Sequence, residues 1–414
     1  MENINNEQIV LFKDKSKCCA CGSCLNACPK QAISMEPDEN GFVYPVINHD
    51  LCVQCGRCKK VCGYQSNSYM SEVEAAYVSA AKEKQIVLKS ASGGLFAVLA
   101  HAILKNGGVA YGAAMISCNG TLIPQHVRIT DIDEISKLQG SKYVQSDIGV
   151  MYKNAEEDLK SGQLVLFSGT PCQIAGLKSY LGKGYENLYT IDIICHGVPS
   201  AKFFQGYIDV LMSRYKGVVK DFKFRDKTYG WGLNAKLIYI NQSGKEKIKR
   251  IPSGASSYFD MFLKSEIYRE NCYNCPYTTK NRIGDITLGD YWGIQREHPE
   301  LMKDAGGKYS NREGISCVLI NSVQGKKLLV MGQDKINIDE STFDKVARQN
   351  EQLKEPSPYN ENREYILRMY RSGGYESVEK YFRKRNGVRT YYCYIKNMLP
   401  SSLKKKIKKA IKRI

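Results

Sequence analysis

The chain has 414 residues, of which 43% are hydrophobic and 25% are charged, a composition typical of a folded globular protein. No apolar run approaches the roughly 20 residues that a membrane-spanning helix needs, and the N-terminus lacks the layout of a signal peptide. The formal net charge is +18, and residues 401–414 hold seven basic side chains and no acidic one. These features predict a cytoplasmic protein. They predict no nucleic-acid partner, because no known module interleaves aromatic and basic residues here.

The sixteen cysteines are concentrated near the N-terminus, where nine lie between Cys18 and Cys62. They include two CxxCxxCxxxC runs, which match the bacterial two-cluster ferredoxin pattern. In that pattern the last cysteine of each run ligates the cluster of the other run. The first 4Fe-4S cluster is therefore predicted on Cys18, Cys21, Cys24 and Cys62, and the second on Cys52, Cys55, Cys58 and Cys28.

Between the runs, residues 32–35 and 42–45 predict a hairpin that brings the two runs together. Cys19 is surplus to the motif and is interpreted as a bystander. A pair of zinc knuckles is the alternative, but four cysteines in one continuous run cannot easily surround an ion tetrahedrally. The polar segment 63–71 predicts a linker to the rest of the chain.

After this linker, residues 75–80 predict a strand, residues 95–104 a helix and residues 109–112 a second strand, together a βαβ-like unit. The Ser/Gly-rich loop at 89–94 opens the helix and offers free N–H groups to a phosphate. Ordinary serine capping, with glycine for close packing, explains the same loop equally well.

Two further cysteines, Cys172 and Cys195, each follow a buried strand, and Cys272 and Cys275 form a CxxC motif. Sites in open α/β sheets form at the carboxyl ends of strands, so these thiols are candidates for one site. Four thiols are enough for a third 4Fe-4S cluster. The alternative is buried structural cysteines with a separate zinc-binding or redox CxxC.

Six segments in order then resemble one family. They are Ser90–Gly94, Gly140–Ser146, Ser168–Gln173, Cys195–Ser200, Cys272–Pro276 and Gly284–Gly293. Together they look like the coenzyme F-420 hydrogenase/dehydrogenase beta-subunit family, over roughly residues 73–330. A leading ferredoxin module is a common attachment in that family.

The resemblance implies a flavoprotein that binds FAD, and it favours the third cluster over structural cysteines. It assigns flavin binding to three loops, with these residues: Ser90, Ser92, Gly93, Gly94, Ser141, Lys142, Ser168, Gly169 and Thr170. Lys142 is the predicted cation near the flavin ring, although a plain surface lysine is an alternative.

Other polar residues allow two interpretations each. His196 is a candidate catalytic proton donor, but most histidines beside buried strands are structural. Arg225, Lys227, Lys280 and Arg282 could meet an anionic substrate or be solvated surface charges.

The C-terminal part predicts helices over residues 364–371 and 375–385. A last basic helix over 403–414 suits an anionic membrane surface at the inner face of the membrane. A solvated, frayed terminus is the alternative.

The predicted fold class is an α+β ferredoxin-like two-cluster module over residues 1–66, followed by an α/β flavin-binding domain in two parts, 73–160 and 161–350. A helical tail with a basic end completes it over 355–414. The predicted function is an iron–sulfur flavoprotein oxidoreductase that passes electrons between 4Fe-4S clusters and FAD, to or from a deazaflavin (coenzyme F-420) or another soluble acceptor. The predicted partners are a redox donor or acceptor protein or the deazaflavin coenzyme. The alternatives are a non-catalytic ferredoxin-type adaptor that docks on a larger complex, and a reductase of a glycan precursor or pigment.

Overall fold

The structure is a computed structural model that describes residues 9–66 and 70–398. Its N-terminal module is built on an antiparallel hairpin of β1 (Ile33–Pro37) and β2 (Val43–Ile47). The Asp38 carboxylate closes the turn by accepting hydrogen bonds from the N–H groups of Asn40 and Phe42, at 3.0 and 2.9 Å. The predicted hairpin is thus confirmed. Three short helices complete the module: α1 (Ser23–Ala27), α2 (Arg57–Lys60) and α3 (Gly63–Ser66).

The larger part of the chain contains two sheets. Its strands are β3 (Ala75–Ala81), β4 (Val109–Cys118), β5 (Thr121–Ile129), β6 (Val165–Gly169), β7 (Leu188–Ile193), β8 (Gly217–Lys223), β9 (Asn234–Asn241), β10 (Glu246–Pro252), β11 (Ile286–Asp290), β12 (Ser316–Ile320) and β13 (Ile336–Ser341). Strands β8, β9 and β10 form a small antiparallel sheet. The other eight form one mixed sheet in the order β13-β3-β12-β11-β7-β6-β4-β5.

The centre of the mixed sheet is parallel, because β11, β7, β6 and β4 run in one direction. Strand β12 is antiparallel to both β11 and β3, so β3 runs in the direction of the centre. The carboxyl ends of β3, β4, β6, β7 and β11 therefore point to one edge, which is where ligand sites form in such sheets.

The two strands and the helix of the predicted βαβ-like unit are present. Strands β3 and β4 are parallel but not adjacent, because β12, β11, β7 and β6 lie between them. The intervening strands come from later in the chain, so no local pattern reveals them.

The helices of the larger part pack against one or other of the two sheets. They are α4 (Lys84–Lys89), α5 (Leu95–Lys105), α6 (Ile135–Leu138), α7 (Met151–Lys160), α8 (Pro171–Leu181), α9 (Ala201–Tyr215), α10 (Ser257–Leu263), α11 (Ile294–Glu297), α12 (Val323–Met331), α13 (Phe343–Ala347) and α14 (Asn362–Met398). Helices α5 and α12 pack in one core cluster, and α7 and α8 pack in another with the module.

Helix α14 is broken at Gly373 and Gly374, whose backbone angles are not helical. The two predicted C-terminal helices lie on either side of this break. Within residues 9–66 and 70–398, no helix is long and apolar enough to cross a membrane. The predicted basic helix at 403–414 lies outside the described residues.

The predicted linker at 63–71 is wrong over its first part, because Gly63–Ser66 is helical and docked. Tyr64 is buried, and a Cβ on Gly63 would lie 2.6 Å from the carbonyl oxygen of Ala175 in α8. A Cβ on Gly176 would lie 2.9 Å from Cys21 Cβ. The module therefore lies directly against α8, at two positions where only glycine fits.

Candidate iron–sulfur centres and cofactor cleft

The structure brings together the four thiols predicted for the first cluster. Burial raises the pKa of Cys24, and negative charge on Cys21, Cys18 and Cys62 raises it further. Besides burial, negative charge on Cys21 and Cys62 also raises the pKa of Cys18. Gly22, at a φ of 82°, begins α1 and turns the chain between two of these cysteines. Cys62 of the second run therefore lies beside the first run, as crossed ligation requires.

The thiols predicted for the second cluster line one pocket: Cys28, Cys52, Cys55 and Cys58. Cys28, the last cysteine of the first run, thus lies with three cysteines of the second run, as crossed ligation requires. Within residues 9–66 and 70–398, no three His, Cys, Asp or Glu side chains converge on a point that could hold one metal ion. A 4Fe-4S cube instead spreads its four ligands over four corners.

The third set of thiols comes from three separate segments. Cys172 lies in the first turn of α8, and Cys195 follows β7. Cys272 lies in a short 3-10 helix (Glu270–Asn274), and Cys275 is its C-cap. Burial raises the pKa of Cys195, as does negative charge on Cys272, Cys172 and Cys275. The Thr170 hydroxyl lies 3.2 Å from the Cys172 sulfur. The structure thus gathers these four thiols at the carboxyl edge of the large sheet.

Cys19, which the sequence analysis treats as a bystander, lies between the first and third sets. It is buried in a core cluster that also contains Cys21, Tyr64 and Tyr277 and packs against Cys172. The two tyrosine rings are 6.2 Å apart. In the sequence, the adjacent pair Cys18–Cys19 indicates that one thiol is surplus to the motif. The spacing cannot show which residues surround that thiol in the fold.

A buried arginine that sequence reasoning missed also joins the module to the larger domain. Arg269 is fully buried, and its Nε donates to the Cys18 carbonyl oxygen at 3.1 Å. Its guanidinium lies 4.0 Å from the centre of the Tyr44 ring. It therefore places positive charge next to the first thiol set.

The hydroxyls predicted to bind the flavin already have protein partners. Ser90 Oγ donates to the Ile86 carbonyl at 2.8 Å, and Ser92 Oγ donates to the Ile315 carbonyl at 2.7 Å. Ser168 Oγ donates to a backbone carbonyl of β4 at 3.0 Å. The Thr170 side chain caps α8 in a capping box with Gln173.

The predicted glycines and Lys142 serve the local backbone. Gly93 donates its N–H to Ser316 Oγ at 2.9 Å, and Gly94 begins α5 at a φ of 91°. Lys142 Nζ lies 2.9 to 3.2 Å from three carbonyl oxygens at the end of α6. Burial lowers the pKa of this amine to about 7, and the three carbonyls favour its protonated form.

The three predicted loops nevertheless meet. Gln139 Nε2 donates to Ser90 Oγ at 3.0 Å, which joins the first loop to the segment before Lys142. The buried His126 ring joins the other two, with Nδ1 at 2.9 Å from Ser146 Oγ and Nε2 at 3.0 Å from the Ser168 carbonyl. Ser141 lies in the second of these loops, and Gly169, at the end of β6, packs against the same histidine.

A charged and aromatic cluster follows β11 at the same edge. The buried Arg225 guanidinium pairs with Asp290 at 2.7 Å and donates to the Tyr143 hydroxyl at 2.8 Å. Trp231 donates to the same carboxylate at 2.9 Å and stacks on Trp292, with ring centres 4.6 Å apart. This cluster was not predicted as a unit, since its members are far apart in sequence.

The charges proposed for an anionic substrate differ in exposure. Lys227 donates to the carbonyls of Val87 and Ser92 at 2.6 Å each, so it secures the Ser/Gly loop. Arg282 is buried against Asp192 at 3.4 Å. Only Lys280 among the four is exposed, and the surface interpretation of Arg225, Lys227 and Arg282 is therefore wrong.

His196 keeps accessible surface although protein surrounds it on most sides. Desolvation by these surroundings lowers its pKa, and the nearby charge of Asp290 opposes this effect. His196 therefore lies shortly after the carboxyl end of β7, within electrostatic reach of Asp290.

Comparison with known proteins agrees with this architecture. Residues 162–346 match the family model for the C terminus of the coenzyme F420 hydrogenase/dehydrogenase beta subunit. This part of the larger domain is therefore similar to that family. Residues 17–66 match the 4Fe-4S dicluster domain model, so the module is an iron–sulfur domain. Both matches confirm the resemblance identified from the sequence.

Individual relatives are distant. The coenzyme F420-dependent sulfite reductase of Methanocaldococcus jannaschii is 20% identical over 374 residues, which are 89% of this chain and 54% of the relative. The chain thus spans about half the length of that relative. A chain of the F420-reducing NiFe hydrogenase complex from Methanosarcina barkeri, in a xenon derivative, aligns with 78% of this chain and 95% of its own length. The identity is 15% and the TM-score 0.38.

His126 makes stability depend on pH. Burial lowers its pKa from 6.5 to about 4. Between these two pH values, the His126 imidazole is protonated in the unfolded chain but neutral in the folded protein. The free energy of unfolding therefore decreases as the pH falls from 6.5 toward 4. We expect a loss of about 1 kcal/mol between about pH 7 and pH 5.5.

Because glutamine does not titrate, the His126→Gln variant should lose less stability than wild type when the pH falls. The melting temperatures of the two proteins should therefore differ less at about pH 5.5 than at about pH 7. Exposed His49→Gln is the control, and anaerobic thermal unfolding is the measurement. A His126→Gln variant that lost as much stability as wild type over this range would contradict the assignment.

Proposed function

We propose that the protein is an iron–sulfur flavoprotein oxidoreductase that passes electrons between 4Fe-4S clusters and FAD. A deazaflavin or another soluble carrier would be the final donor or acceptor. In this proposal the two-cluster module covers residues 1–66 and the flavin domain covers 73–350, in two parts divided at 160. Residues 355–414 form the tail.

The observation that carries the proposal is the contact between the thiol sets. Cys19 and Cys21 of the module pack in one core cluster with Cys172 and Cys275 of the larger domain. Each 4Fe-4S cluster requires four cysteine ligands, and each set supplies four. Redox centres held in series from the module to the sheet edge suit electron transfer better than storage or structural support.

The carboxyl edge of the large sheet supports the flavin part of the proposal. Lys142 provides positive charge there, and Trp292 provides aromatic surface beside the Arg225–Asp290 ion pair. The backbone N–H groups at the start of α5, after Gly94, suit phosphate oxygens. Since the serine hydroxyls donate to carbonyls, these backbone groups would make the main phosphate contacts.

FAD, when bound, would exchange single electrons for a hydride. The protein's own residues would bind the phosphates, orient the ring and exclude water. His196, after the carboxyl end of β7 and within electrostatic reach of Asp290, is the candidate for holding a proton near the ring.

Anaerobic purification of the full chain tests the proposal. We expect about twelve irons and about one flavin per chain, since three cubes hold four irons each. Iron without flavin would favour the adaptor alternative, and the absence of both would contradict an oxidoreductase. Oxidation of reduced coenzyme F-420 would then separate a deazaflavin enzyme from a reductase of a glycan precursor or pigment.

We also propose that the basic segment 401–414 binds anionic membrane surfaces. Seven basic residues can each contribute up to about 1 kcal/mol near such a surface. Full-length protein should sediment with vesicles that contain anionic lipid, and less so as salt rises. Deletion of 401–414 should abolish sedimentation without changing the iron content. Equal sedimentation with neutral vesicles would contradict this role.

A further inference from the structure

The second thiol set differs from the others in its access to solvent. Cys55 is exposed, whereas Cys19 and Cys21, at the junction with the larger domain, are buried. Pro29, Lys30, Val53, Cys55 and Arg57 line the same pocket and are all exposed; we call them the distal patch. A partner protein can therefore come close to the second set from this side of the module.

The distal patch has an apolar centre and a basic rim. Val53 is 57% exposed and Leu51, beside Cys52, is 52% exposed. Lys59 and Lys60 are exposed on α2, the helix that Arg57 begins. We therefore include Leu51, Lys59 and Lys60 in the distal patch, whose basic residues are Lys30, Arg57, Lys59 and Lys60. In the part of the chain that the structure describes, none of these four forms an ion pair, and their charge is thus available to a partner.

We propose that the distal patch is the docking surface for a small acidic redox protein. The proposal rests on the proposed function, because it assigns the outer end of the same series of thiol sets. An apolar centre excludes water next to the second set, and a basic rim steers and orients an acidic partner. Transient redox complexes bury little surface, so a patch of this size is sufficient.

The test is binding of an acidic two-cluster bacterial ferredoxin to anaerobically purified full-length protein, measured by biolayer interferometry at several salt concentrations. Affinity should fall as salt rises. The double charge reversal Lys59→Glu/Lys60→Glu should weaken binding about tenfold. Lys30→Glu reverses a charge of the patch that follows the first cysteine run, and it should also weaken binding. Val53→Ser tests the contribution of the apolar centre without a change of charge.

Lys245→Glu/Lys247→Glu is the matched control, because both lysines are exposed on the β9–β10 hairpin of the small sheet. Equal weakening by both double variants would show that overall charge, not the patch, binds the ferredoxin, and would overturn the proposal. Unchanged affinity in all the patch variants would also overturn it. Iron and flavin contents distinguish this failure from failure of the proposed function, since they test the clusters without a partner.

Discussion

Replacement of Cys62 by alanine should damage the cluster of the first cysteine run, not that of the run to which Cys62 belongs. Cys62 lies beside Cys18 and Cys24, while the pocket of the second set is closed by Cys28. We expect the loss of up to about four irons, because alanine cannot ligate the cube. Iron analysis and electron paramagnetic resonance of the reduced protein measure this.

Non-additivity assigns the affected cluster. Cys62→Ala, Cys21→Ala and the double variant should lose the same signal, because they remove ligands of one cluster. Cys62→Ala combined with Cys55→Ala should lose two signals. The exposed Cys118→Ala should lose none. If Cys62→Ala and Cys55→Ala removed the same signal, each run would bind its own cluster and crossed ligation would be wrong.

Cys275→Ser should remove about four irons of the third set and leave the module intact, because its thiol lies among Cys172, Cys195 and Cys272. Reduction of bound flavin by dithionite through the module should then fall to a small fraction of the wild-type rate. Hydride exchange at the flavin with a soluble carrier should change much less. Rapid-mixing absorbance spectroscopy separates the two reactions.

Two controls keep this experiment decisive. Cys118→Ser changes an exposed cysteine outside all three sets and should keep every iron. Cys275→Ala removes the oxygen that serine could offer to iron, so it should show at least the same loss. Full iron content in both Cys275 variants would exclude a cluster on the third set.

Features encoded by residues close together in the sequence could be predicted, and features formed by residues far apart in the sequence could not. The two cysteine runs and the hairpin between them are encoded by short spacing rules, so their ligand sets could be proposed residue by residue. Cys172 and Cys195 could be placed near strand ends, because Cys195 directly follows an apolar run and Cys172 follows another after a short turn. The neighbours of Cys19 could not be predicted, because they depend on how the module docks on α8.

The loops that the sequence predicts to bind flavin show a different limit. Ser90, Ser92 and Ser168 lie where a phosphate-binding pattern suggests, but each donates to a carbonyl that comes from tertiary packing. The pair Arg225–Asp290 joins residues 65 positions apart. A sequence shows which residues are charged, but it does not show which of them will be buried together.

The glycine contacts on α8 determine how electrons would cross the molecule. A ferredoxin on a flexible tether must search for its acceptor, and its transfer rate then depends on tether length and on solvent viscosity. Here Gly63 and Gly176 let the module rest directly on the helix that carries Cys172. No diffusive search is needed, so the internal transfer rate should be the same in buffer and in concentrated sucrose. A bulkier residue at Gly176 would push the module away from α8 and slow electron transfer between the first and third thiol sets. A longer connecting segment could not restore that rate.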